Sequence, residues 1–225
     1  MKVTVINWPK NPLKSIYCAV ENMNGNMIHD LDEINIKDAL ETIKELTKTQ
    51  LNTAMEFGGS YVFQIEGIPR AMTHQIVRNR VGASYSQESM RFVTKEGDDF
   101  DFHSGSSVDN VEKQKAYVNY MCQAKSNYER LLELGVDNQD ARGILPINTN
   151  TKIGVRYNLL TMINVLQVRL CYQSQPFWVE LADKMVKEVE RVSGKNVADL
   201  LVKYCVRYGE CGFKSVYDRD CPHRG

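Results

Sequence analysis

The fifteen residues Arg78-Asn79-Arg80-Val81-Gly82-Ala83-Ser84-Tyr85-Ser86-Gln87-Glu88-Ser89-Met90-Arg91-Phe92 carry three arginines, three serines, a glutamine and a glutamate. No fold can bury three guanidiniums without partners, because stripping such charges of water is too costly. Wherever the rest of the chain goes, this segment must face solvent, carboxylates or a bound anion. Arginine presents a planar fork of donors that matches two oxygens of a carboxylate or phosphate. Read from composition alone, the stretch is either a solvated basic turn or a nucleotide-phosphate site.

The charge balance narrows the partners. The 225 residues hold 28 Lys+Arg against 28 Asp+Glu, a formal net charge of zero. General binders of nucleic acid or anionic membranes draw their affinity from net positive charge, so any anion site here is local. No run approaches the ~20 apolar residues that span a bilayer. The start, Met1-Lys2-Val3-Thr4-Val5-Ile6-Asn7-Trp8-Pro9, is too short and polar for a signal peptide and reads as a strand stopped by Pro9. A cytoplasmic protein with reduced thiols is therefore expected. Cys18, Cys122 and Cys171 are scattered and read as packing residues. Cys205, Cys211, Cys221 and His223 crowd the end and are a weak candidate for a tetrahedral zinc site. Their intervals match no standard zinc knuckle, so a loose tail with free thiols is the expectation.

Periodicity supplies the elements. Ile36, Ala39, Leu40, Ile43, Leu46 and Leu51 recur at helical spacing, which predicts an amphipathic helix over 36–56 ended by Phe57-Gly58-Gly59. Residues 60–66 alternate and predict a strand, and Pro69 opens a helix carrying His74, Gln75 and Arg78. The arginine-rich segment runs on extended to Thr94, and 95–107 is a polar surface loop. Helices are predicted over 111–134, 138–142, 158–171, 177–192 and 196–204, with a strand over 151–157. Strands mixed with long helices and no regular βαβ repeat indicate an α+β fold, a mixed or antiparallel sheet flanked by long helices. One domain over 1–208 and a Cys-containing tail over 209–225 are expected.

The order of residues says more than their composition. Arg78-Asn79-Arg80, a spacer from Val81 to Glu88, then Ser89-Met90-Arg91-Phe92 resembles the signature of the flavin-dependent thymidylate synthases. That signature is Arg-His-Arg, seven residues, then Ser, usually followed by Gly-Arg-Tyr. Asn79 stands where the histidine is usual, and the spacer is one residue longer. Upstream, Phe63–Val77 resembles the strand, turn and helix leading into the motif. Downstream, Ala141-Arg142-Gly143-Ile144-Leu145-Pro146 is similar to the family's Ala-Arg-x-x-Leu-Pro, and the stretch from Asn158 to Leu170 to its Asn-x-Arg-Ser-Leu helix. Leu160 stands where that helix has an arginine, and Gly58 near where a histidine precedes the strand. Gln175 is kept from the family's Ala-Gln-Trp-Glu-Ile, before Pro176-Phe177-Trp178 diverges. Most departures fall on the flavin and folate side.

The resemblance implies a homotetramer with FAD sites at subunit interfaces, methylating carbon 5 of dUMP with methylenetetrahydrofolate and NADPH as co-substrates. It places Gln75, Arg78, Gln87, Glu88, Ser89, Met90, Arg91, Arg142 and Arg169 around the nucleotide, partly through the backbone of the spacer. Arg80, Val81, Asn158 and Asn164 fall at the flavin. Arg169 and Ser89 are the residues implied nearest the chemistry, Ser89 binding the nucleotide rather than attacking it, since His74 is the one histidine nearby in sequence. His74 itself reads as structural. Methylation or hydroxymethylation of UMP or dUMP, and a flavin-free nucleotide-binding protein, are the alternatives. A thiolate mechanism is disfavoured, because no cysteine lies in the motif, and Cys171 falls about 200° around a helix from Arg169 at ~100° per residue.

Overall fold

Alternation of buried and exposed side chains makes the strands. β1 (Lys2–Asn7) buries Val5, and β2 (Ser60–Pro69) turns Tyr61, Phe63 and Ile65 inward. β3 (Ala83–Gln87) is short, and β4 (Asn150–Asn158) buries Thr151, Ile153, Val155 and Tyr157. The four make an antiparallel sheet in the order β1-β2-β4-β3. The expected α+β class is the one the chain adopts.

The computed structural model describes residues 1–48, 53–212 and 221. Its helices are α1 (Pro12–Met23), α2 (Ile36–Lys48), α3 (Arg70–Ile76), α4 (Val111–Glu133), α5 (Asn138–Ala141), α6 (Leu159–Arg169), α7 (Pro176–Ser193), α8 (Lys195–Ala198) and α9 (Tyr204–Tyr208). Two compact units result. One comprises Met1–Lys2, Gln64–Arg78 and Tyr85–Gly154, the other Val3–Phe63, Asn79–Ser84 and Val155–Gly225. In the first, α4 packs on α5 and buries Met121 and Tyr128. In the second, α1 packs on α2 and α6 on α7, around Ile16, Ile43, Met162, Leu166, Trp178 and Leu181. Burying a side chain such as Leu181 contributes about 1.5–3 kcal/mol.

Several expected elements change shape. Of the helix expected over 36–56, Ile36–Lys48 is α-helical and Thr53–Gly58 is a 3-10 helix instead. Leu51 lies outside the described residues. Pro69 ends β2 with extended ψ of 144° and caps α3 rather than beginning it. The motif is not extended throughout, because the chain turns after Ser89, whose carbonyl accepts the N–H groups of Phe92 and Val93, both at 3.0 Å. One helix over 196–204 becomes two short ones, since the chain between them turns inward to bury Leu200 and Leu201. Lys95, expected at the surface, is buried at 5% exposure. Finally, α6 ends at Arg169, so no helical wheel extends to Cys171. That residue sits half-buried in a turn closed by its N–H to Val168 O at 3.2 Å.

Candidate functional site

The residues expected at the nucleotide lie in the first unit, except Arg169. Gln75 rides half-buried on α3, and Arg78 follows the helix end, exposed, its N–H donating to Gln75 O at 3.4 Å. In the turn after β3, Met90 is buried at 3% exposure and acts as a plug. Its neighbours Ser89 and Arg91 are then left at the rim. The Arg91 N–H donates to Ser89 Oγ at 3.3 Å, and the guanidinium lies over the Phe92 ring at 5.4 Å. Ser89 Oγ is engaged by its own turn, which suits orientation better than attack. Arg142 caps α5, and its Nε donates to Gln139 O at 3.1 Å, which aims the rest of the fork.

Two residues of this unit escaped the sequence reading. Arg70 opens α3, and its NH1 atom is buried without a hydrogen-bond partner. Burial and the nearby Arg142 guanidinium hold its pKa below the ordinary arginine value, with Glu88 opposing them in part. Two guanidiniums that repel each other, one with an orphaned buried donor, are an unbalanced arrangement unless an anion joins them. Gln87 Nε2 is likewise buried without a partner. Lys95 is the second omission. Its ammonium donates to Glu88 Oε2 at 2.8 Å, and the two side chains are 6% and 12% exposed. The Thr151 hydroxyl donates to the same oxygen at 3.1 Å. Burial pushes the Glu88 carboxyl up, but Lys95, Thr151 and the charge of Lys152 outweigh it and hold the pKa below the carboxylate norm. Since the Glu88 N–H donates to Lys152 O at 3.0 Å, this residue serves the turn before any ligand. No local pattern marks Arg70 or Lys95, because their partners are remote in sequence.

The residues expected at the flavin lie in the second unit. Glu56, Asn79, Arg80, Val81, Leu160, Thr161, Asn164 and Val165 line a recess of about 280 Å³. Three of the four expected flavin residues are among them, and so are both departures, Asn79 and Leu160. The fourth, Asn158, has a different task. Its Oδ1 accepts the Thr161 N–H at 2.8 Å, capping α6, while its own N–H donates to Gly82 O at 2.8 Å. The Thr161 hydroxyl then donates to Val81 O at 2.7 Å. These bonds fasten the spacer to the start of α6, and Gly82 makes the fit possible at a φ of 64°. An apolar wall of Val81, Leu160 and Val165 with Arg80 among the polar groups Glu56, Asn79, Thr161 and Asn164 fits part of a flavin: ring-like apolar surface with a cation for an electron-rich edge. Arg169, half-buried at the end of α6, lies over the Trp178 ring at 4.7 Å.

Among the described residues no group of three or more His, Cys, Asp or Glu is placed to hold a metal ion. Cys205, Cys211 and Cys221 take part in no disulfide, and His223 lies outside those residues, as does most of the expected tail. No helix among the described residues is long and apolar enough to cross a membrane.

Residues 4–193 match the family model described as thymidylate synthase complementing protein. The chain is 32% identical over 196 residues to a flavin-dependent thymidylate synthase of Geobacter sulfurreducens, covering 86% of this chain and 84% of the relative. A flavin-dependent thymidylate synthase of Thermococcus onnurineus is 31% identical over 233 residues, covering 99% and 89%. Among solved structures, the fold is similar to that of a UMP/dUMP methylase, PolB, from Streptomyces cacaoi, crystallised with 5-Br dUMP. The TM-score is 0.72 at 18% identity, covering 92% of this chain and 95% of that one.

Proposed function

Because the chain belongs to the thymidylate synthase complementing protein family, whose relatives above are flavin-dependent thymidylate synthases, we propose that it methylates carbon 5 of dUMP to give dTMP. Methylenetetrahydrofolate supplies the carbon and NADPH the reducing equivalents. A flavin held by Arg80, Val81 and Asn164 and first reduced by NADPH would supply the hydride chemistry that completes the methyl group. In this reading Arg70, Arg78, Arg91 and Arg142 neutralise the nucleotide phosphate through paired hydrogen bonds. Gln75 and Gln87 offer amide groups to the base and phosphate edges, and Ser89 orients the nucleotide. The Arg169 guanidinium steadies the enolate-like charge on the ring carbonyl as carbon 5, a weak nucleophile, attacks. Arg80, Val81 and Asn164 hold the flavin, with Asn158 acting through the α6 cap. Residues 1–208 are the catalytic domain of a cytoplasmic homotetramer on this reading.

The observation that carries the proposal is the recess that gathers Arg80, Val81 and Asn164 with Thr161. The test is direct. Purified protein should show bound-flavin absorption at about 450 nm and convert dUMP to dTMP when folate and NADPH are supplied. No flavin uptake at saturating dUMP would overturn it.

Asn79 and Leu160 in that same recess favour a second reading, a flavin-free nucleotide-binding protein. Each removes a polar or cationic group from the cofactor side. Leu160→Arg decides between the two. Under the first reading it should tighten FAD binding by about tenfold, the worth of roughly one charged hydrogen bond. A fluorescence titration in which the variant binds flavin no better than the wild type would favour the flavin-free reading.

A further inference from the structure

A lysine buried at 5% exposure calls for a reason. An ion pair in the interior is seldom more stabilising than two apolar side chains of the same size, because both partners lose their water. What it can add is a fixed geometry. Glu88 and Lys95 bracket the turn that presents Ser89 and Arg91, and each is tied to a neighbouring element of the same unit. At one end the Glu88 carboxylate accepts from Lys95 Nζ at 2.8 Å and from the Thr151 hydroxyl at 3.1 Å. At the other, the Lys95 backbone N–H donates to the Tyr128 hydroxyl at 3.3 Å.

Tyr128 extends the tie. The residue is fully buried on α4, and its hydroxyl donates to Asn138 Oδ1 at 2.6 Å. Asn138 Nδ2 donates in turn to the carbonyl of Arg91 at 3.2 Å. Asn138 also begins α5, the helix capped by Arg142, whose Nε is held by Gln139 O. One chain of contacts, Glu88 to Lys95 to Tyr128 to Asn138, therefore fixes the turn bearing Ser89 and Arg91 and the helix leading to Arg142. Arg91, Phe92, Val93 and Thr94, between the ties, are exposed. Left to itself, such a segment would sample many arrangements and lose entropy on binding.

We propose that Lys95 and Tyr128 are positioning residues for the nucleotide: through Glu88 and Asn138 they hold Ser89, Arg91 and Arg142 in a binding-ready arrangement before the ligand arrives. This rests on the nucleotide site proposed above. The ion pair sets the spacing of the turn, and the tyrosine hydroxyl couples that turn to α5. Neither residue has to touch the nucleotide.

The test uses the full-length enzyme with dUMP. A Glu88→Leu, Lys95→Met double variant replaces the pair by apolar groups of similar size, and Tyr128→Phe removes one hydroxyl. For each, the dUMP dissociation constant is measured by calorimetry, with FAD affinity and Tm recorded alongside. The double variant should keep its Tm within a few degrees and bind FAD as the wild type does, yet bind dUMP about tenfold more weakly, since small displacements of aligned groups are costly. Tyr128→Phe should weaken dUMP binding several-fold with FAD affinity again unchanged. Unchanged dUMP affinity in a double variant that keeps its Tm overturns the proposal. If the double variant does not fold, unchanged dUMP affinity in Tyr128→Phe overturns it instead. A wild-type protein that binds no dUMP removes the underlying site assignment, a separate outcome.

Discussion

Gly82→Ala is expected to lower both the stability of the protein and its affinity for flavin. The φ of 64° at this position costs a residue with a side chain about 1–2 kcal/mol. The new methyl has nowhere to go. It would lie 2.6 Å from Asn158 Cγ and run still deeper into Asn158 Nδ2 and Thr161 Oγ1. Neither neighbour can swing aside cheaply, because Asn158 caps α6 and Thr161 is bonded to Val81 O. Losing the cap adds about 0.5–2 kcal/mol. Together the two terms come to roughly 3 kcal/mol, which lowers Tm by roughly 6–12 °C in a protein of this size. Flavin affinity should fall more than tenfold, since Val81 and Thr161 line the recess. Thermal melts and a flavin titration check both parts. A variant that melts within a degree of the wild type would show that the spacer and α6 adjust without cost.

How much of this was legible in sequence depends on how local each cause is. The stripe Leu159, Met162, Ile163 and Leu166 repeats at helical spacing, and all four are fully buried on α6. The alternation in β4 was equally readable, because a strand's period is a property of its own residues. The 3-10 form of Thr53–Gly58 was not, since apolar residues continue at close spacing into it. The Lys95 segment misled for a different reason. Its composition is that of a surface loop, whereas its partners Tyr128 and Glu88 stand 33 and 7 positions away, and Thr151 is 63 from Glu88. The arginine-rich motif was found by order rather than by periodicity. Arg70 was not, for it lies outside the motif, and its significance comes from Arg142 on a remote helix. The resemblance implies a ligand role for Asn158, but an asparagine directly before an apolar helical run is also a strongly favoured cap.

Arg142→Ala is expected to weaken dUMP binding by about 1.5–3 kcal/mol, a loss of roughly 10- to 150-fold in Kd, and Arg78→Ala and Arg91→Ala by similar amounts. A phosphate carries up to two negative charges, and each lost fork leaves one of its oxygens without a charged donor. Arg70 should behave differently, and the difference is diagnostic. In the free protein its guanidinium is buried, has an orphaned nitrogen and is repelled by Arg142. Removing it with Arg70→Met relieves that repulsion, so the Tm of the ligand-free protein should hold or rise. The same change removes a donor from the bound phosphate, so the rise in Tm that dUMP produces should shrink. A site that is destabilised empty and relieved by its ligand gives opposite signs in the two melts. A purely structural arginine would lower the ligand-free Tm and leave the dUMP-induced rise unchanged. Melts of the wild type and Arg70→Met, with and without saturating dUMP, separate the two. Unchanged dUMP affinity in Arg142→Ala would remove the phosphate assignment for this whole cluster.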